Sequence, residues 1–199
     1  MEALFVYLGI GAVSASGWAL RFRSRRTVGT VALVAVAVTV GAAVARPDRP
    51  GPWSNLTVLV TAVAVGVFIG RIVPARFRPM AILLVVLALL DASQLLFAAG
   101  FGTGPADVWF HLTWLRADGS PARLGIVDLI VAAAVGEHLR RRRAGPVRST
   151  LTPVGGFVLA DTFVFVTGIG GLVLLPFLAA AWFLGEAVAV SATRIRSAA

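Results

Sequence analysis

The chain has 199 residues, 58% of them apolar and 14% charged, with a mean hydropathy of +0.90. Soluble domains are nearer half apolar and a quarter charged, and disordered chains carry far less apolar surface, so both classes are excluded. A polytopic membrane protein fits instead: seven spans of about 20 residues would use about 140 positions, leaving short loops and no separate catalytic domain.

The net charge is +9, and all 18 basic residues are arginine. In so apolar a chain this excess reads as a topology signal rather than a nucleic-acid surface. With no cysteine, disulfides, thiolate metal sites and a cysteine nucleophile are excluded. His111 and His138 are the only histidines, too few for a multi-histidine metal or haem site. No metal or organic cofactor is implied.

The first element is expected over residues 3–20. No basic stretch precedes it, so it reads as a retained helix rather than a cleaved signal. Further apolar runs follow at 27–45, 55–73, 79–99, 122–139, 152–167 and 171–191, separated by Gly, Pro and Arg. The expected fold is therefore an all-α transmembrane bundle of about seven spans, forming a single integral membrane domain over 1–199. Loops after runs 1, 3, 5 and 7 carry 14 arginines, and those after runs 2, 4 and 6 carry 4. Positive charge stays on the cytoplasmic side, which places the N-terminus outside and the C-terminus in the cytoplasm.

Ser54 or Asn55 reads as the cap of the third helix. Gly66-x-x-x-Gly70 permits close helix packing. The loop at 100–121 holds Trp109, Phe110, His111 and Trp114, whose aromatics read as interfacial anchors. Any hairpin is expected to be small and confined to that loop. Thr167 to Gly171 reads as a tight turn.

The acids carry most of the functional information. Glu137 lies within one turn of Arg140–Arg143 and can pair with them, and Glu186 lies near Arg194 and Arg196. Asp91, Asp128 and Asp161 are embedded in apolar sequence, where a carboxylate is costly unless neutral, paired or wetted. Helical rise puts Asp91 about 12 Å, and Asp128 and Asp161 each about 9 Å, below the outer ends of their helices. Asp91 and Asp128 are thus expected to face each other at one level, sharing a proton as paired carboxylates do. Asp161 at the same level leaves a three-acid proton or cation relay open.

Leu124-Gly125-Ile126-Val127-Asp128 resembles the Leu-Gly-x-Gly-Asp motif of the presenilins and signal peptide peptidases, the GxGD intramembrane aspartyl proteases. Asp91 occupies the place of that family's first aspartate, with Leu90 where tyrosine is usual. Leu174-Leu175-Pro176-Phe177-Leu178 stands where the family has Pro-Ala-Leu. The resemblance covers residues 79–191, and Val127 replaces the second glycine of the motif. It implies an intramembrane aspartyl peptidase that cleaves transmembrane helices, with Asp91 and Asp128 catalytic and Gly125 and Pro176 shaping the substrate site. The implied partners are the lipid bilayer and a transmembrane peptide. Two alternatives stay open: a small proton-coupled transporter or channel that uses Asp161 as well, and a catalytically inactive assembly partner. Arginine in place of lysine, with high alanine and valine, suggests a GC-rich bacterial genome and hence the inner membrane.

Overall fold

The computed structural model describes residues 2–45, 52–97, 110–115, 121–167 and 174–198. Seven helices are present among them: α1 (Glu2–Ala19), α2 (Arg25–Ala45), α3 (Pro52–Ile72), α4 (Phe77–Phe97), α5 (Ile126–Arg141), α6 (Pro146–Thr167) and α7 (Leu175–Ala198). Between α4 and α5 lies a two-stranded antiparallel hairpin, β1 (His111–Leu115) and β2 (Pro121–Gly125). Its register sets His111 opposite Gly125 and Trp114 opposite Ala122.

Helices suit such a sequence because each satisfies its own backbone polar groups, as lipid demands. Among the described residues, α2, α3 from Trp53, α6 and α7 through Ala192 are long and apolar enough to cross a membrane. Large apolar side chains point outward from the bundle, including Leu33 and Val34 on α2, Leu89 on α4 and Phe165 on α6. An apolar exterior is a liability in water and the ordinary state in lipid. The chain is therefore a helical bundle of the integral-membrane type.

The short α5 is the central helix. Residues 131–139 are buried without interruption, and α5 packs against α1, α3 and α6. A helix buried on every face must be approached closely by its neighbours, and small residues permit this. A Cβ added to Gly66 of α3 would meet Ala133 at 2.5 Å, and one added to Gly70 would meet the Ala134 carbonyl at 2.7 Å. The Gly66/Gly70 pair is thus the contact surface for α5. On the other side, Gly136 of α5 lies against the α1 backbone, where a Cβ would sit 2.9 Å from the Ser14 carbonyl carbon. A second layer forms where α7 meets α4, with Trp182 stacked on Phe77 at 4.9 Å between ring centres.

Several boundaries differ from those expected. Strand β2 takes residues 121–125, so α5 opens at Ile126 and not near 122. The hairpin therefore extends past the 100–121 loop. Apolar content alone cannot separate a short strand from the first turn of a helix. Helix α6 begins at Pro146 rather than 152, with Pro153 in its interior. Its polar first turn hides the start from a hydropathy reading. Helix α3 starts at Pro52, so Ser54 and Asn55 lie inside its first turn and not at its cap. Proline at a first helical position lacks only an N–H that would have gone unpaired. The Thr167–Gly171 turn and Trp109 fall at least partly outside the described residues.

Candidate functional site

Asp91 lies in the last third of α4, and its side chain turns toward the start of α7. Its Oδ2 accepts the Leu175 backbone N–H at 2.9 Å. The Leu174 backbone is a further hydrogen-bonding partner. The first N–H groups of a helix have no partner within it and carry partial positive charge, so a carboxylate is favoured there. Asp91 thus caps α7 from a different helix. Pro176, the second residue of α7, follows directly. The bond across α4 and α7 brings this proline next to Asp91.

Asp128 is the third residue of α5, and Gly125 is the cap of that helix, with extended backbone (φ −63°, ψ 142°). The Asp128 carboxylate turns back to the Gly125 backbone as a hydrogen-bonding partner. A Cβ at position 125 would sit 3.1 Å from Asp128 Oδ2. An acid at the third helical position that reaches back to the cap residue is half of a capping box. Asp128 is therefore in the first turn of α5, shallower than the six residues expected from the sequence. The late end of the hairpin, at Gly125, causes that difference.

These two aspartates, 37 positions apart in sequence, lie within range for their charges to act on each other. Asp161 is exposed on α6. The hydroxyls of Thr162 and Thr167 donate along that same helix, to Val158 and Phe163 carbonyls at 2.8 and 2.7 Å. His111 is half-buried at the start of β1, on the strand rather than in a solvated loop. Among the described residues, no group of three or more His, Asp or Glu side chains could hold a metal ion.

The other end of α5 holds a second polar centre. Glu137 is fully buried there. Its Oε1 accepts from Arg71 Nε at 2.9 Å and Arg140 Nη2 at 2.7 Å, and its Oε2 from Arg140 Nε at 2.6 Å. Arg71 also donates to the Leu20 and Arg23 carbonyls at 2.7 and 2.8 Å, tying in the end of α1. Arg141 Nη1 donates to the Gly70, Arg71 and Val73 carbonyls at and just past the end of α3. Guanidinium donors placed here satisfy carbonyls the helix cannot and complement its dipole. The loops after α1, α3 and α5 therefore gather at one end, and the hairpin that feeds α5 lies at the other.

The pairing of Glu137 with Arg140 follows from sequence proximity. Arg71 as its second partner does not, since 66 positions separate them. Glu186 is paired, as expected of an acid near arginines, but with partners from other elements. Its carboxylate pairs with Arg142 and Arg148, each at 2.6 Å; the side chains of Arg194 and Arg196 fall outside the described residues. Arg142, just past the end of α5, and Arg148, in the first turn of α6, thus reach across to α7.

Compared with known proteins, the chain matches no family model, no curated protein and no solved structure.

Proposed function

We propose that this chain is a seven-span protein with its N-terminus outside and its C-terminus in the cytoplasm, and that it is a presenilin-like aspartyl peptidase of the bacterial inner membrane. The observation that carries the reading is the convergence of Asp91, Asp128 and the Leu175–Pro176 segment, from three elements far apart in sequence. Motif resemblance alone would not require that convergence.

Two carboxylates in one low-dielectric site cannot both be ionised readily, so they share a proton. The ionised member takes a proton from water as the water oxygen bonds to the scissile carbonyl carbon. The protonated member donates to the amide nitrogen as the carbon–nitrogen bond breaks. One proton is gained and one given, and neither metal nor organic cofactor takes part. Gly125 and Pro176 shape the approach of the substrate, a transmembrane peptide.

The test is cleavage of transmembrane peptides by the purified protein in bilayers. Cleavage abolished by Asp91→Asn and by Asp128→Asn supports the pair, and cleavage that survives both substitutions sinks it.

A second reading draws on the same hydrogen bonds. Both carboxylates are engaged at helix starts, which is a complete structural use for an acid. In that reading the chain is an inactive assembly partner that keeps the fold, and Val127 and Leu90 mark the lost activity. Co-purification with a fixed partner, without peptide cleavage by the complex, would favour it. The relay alternative needs Asp161, which is exposed on α6. Proton flux in liposomes that is lost in Asp161→Asn would revive it.

A further inference from the structure

At the arginine-rich end lies an open cleft of about 340 Å³. Arg21 and Arg23, from the turn between α1 and α2, and Arg25, the first residue of α2, line one side. Arg71, Arg140 and Arg141 line the other, and Glu137 contributes to the same cleft. Six guanidinium groups thus surround one carboxylate, which is already held by two of them. Charge in the cleft is far from balanced.

The two sides differ in their engagement. Arg71, Arg140 and Arg141 are fixed by Glu137 and by helix-end carbonyls. The side chains of Arg23 and Arg25 are exposed and make no ion pair among the described residues. The Arg21 guanidinium rests over the Phe22 ring at 4.5 Å. One side is therefore a rigid cationic wall, and the other offers free planar donors. Guanidinium forks match the oxygens of a phosphate in geometry and charge.

We propose that this cleft is a binding site for a phosphate-bearing anion, with the headgroup of an anionic phospholipid as its occupant. The site goes beyond the peptidase reading and does not depend on it. A topology signal alone needs arginines on the correct face, in any arrangement. Here they converge on one concavity, around a buried glutamate. Helices end around the cleft, which sets it at the level where lipid phosphates lie. A zwitterionic headgroup carries the same phosphate but adds a cation that the cleft repels.

The experiment uses the full chain in neutral detergent, with native mass spectrometry to count bound lipid. Phosphatidylglycerol and phosphatidylcholine of equal chain length are titrated separately. Inorganic phosphate is then added as a competitor. The expected result is retention of phosphatidylglycerol over phosphatidylcholine. Each basic side chain at an anionic membrane surface contributes about fivefold in affinity, so Arg23→Gln with Arg25→Gln should weaken phosphatidylglycerol binding about 25-fold. Arg76→Gln with Arg78→Gln, exposed on the same face and outside the cleft, should leave it unchanged. Displacement by phosphate identifies the headgroup phosphate as the recognised group. Phosphate binding that is lost in the Arg23/Arg25 variant, without lipid retention, keeps the anion site and assigns its occupant to the free ion. Equal weakening by both double variants, or no preference for phosphatidylglycerol with no phosphate binding, overturns the proposal. The lipid and phosphate comparisons on the unsubstituted protein decide the matter even where a variant fails to fold.

Discussion

The carboxylate of Asp91 holds the backbone N–H of Leu175 at 2.9 Å, joining α4 to the first residue of α7. One bond thus serves as a helix cap, an interhelical tie and a means of placing Pro176. A structural and a catalytic role for Asp91 separate by substitution. Asn keeps an oxygen that can accept the N–H, and Ala does not. Asp91→Ala should lower stability by about 1 kcal/mol, the usual cost of a lost cap. Asp91→Asn should melt close to the parent protein in detergent while losing peptide cleavage. A cleaving Asp91→Asn variant would leave the capping role alone standing.

Glu137→Gln should be far more damaging. The carboxylate is fully buried, and the Arg71 side chain beside it is 8% exposed. Removing one member of a buried ionic group leaves the others uncompensated, at a cost of about 3–5 kcal/mol. Glu186→Gln is the control. Glu186 is itself buried, but its partners Arg142 and Arg148 are 27% and 29% exposed, and water compensates them in part, so the loss should be smaller than at Glu137. Equilibrium unfolding in mixed micelles measures both.

Gly66→Ala should weaken the contact between α3 and α5. Its new Cβ would meet Ala133 at 2.5 Å and would also crowd the Ile130 carbonyl. Overpacking of this kind costs about 1–3 kcal/mol. Gly41→Ala on α2 meets nothing within 4 Å and should be neutral or slightly stabilising, since alanine favours a helix. Equal effects at the two positions would remove close packing as the reason for the glycine.

The proposed orientation is open to thiol labelling, because the chain has no cysteine of its own. Cysteine at Arg76 or Arg143 should react with an impermeant reagent only from the cytoplasmic side. Cysteine at Ala106 should react only from outside. The reverse pattern would invert the topology.

Much of this architecture is legible in the order of residues. Long apolar runs mark the seven helices, and four of them, among the described residues, are long and apolar enough to cross a membrane. The arginine excess on alternate loops anticipates the gathering of Arg71, Arg140 and Arg141 at one end. Three features were hidden for physical reasons. Strand β2 and the first turn of α5 are both short and partly apolar, so the true depth of Asp128 could not be counted from the run. The first turn of α6 is polar because Arg148 reaches Glu186, and hydropathy passes over it. The partners of Glu137 and Glu186 include residues brought near only by packing: Arg71 for the first, Arg142 and Arg148 for the second. Asp91 and Asp128 stood out as costly acids, but their hydrogen bonds to helix starts depend on where α5 and α7 begin.

The Arg71–Glu137 bond also bears on how the protein is made. Arg71 leaves the ribosome 66 residues before Glu137. Until α5 arrives, Arg71 has no carboxylate partner within the bundle, and its long side chain can keep its charge at the water boundary. The α3 surface around Gly66 and Gly70 meanwhile faces lipid or a transient companion. Insertion of α5 then closes three contacts together: the ion pair, the glycine interface and the Arg141 bonds to the end of α3. Chains stopped before residue 137 should remain loosely associated and open to membrane quality control, and chains extended past Arg141 should become resistant to it.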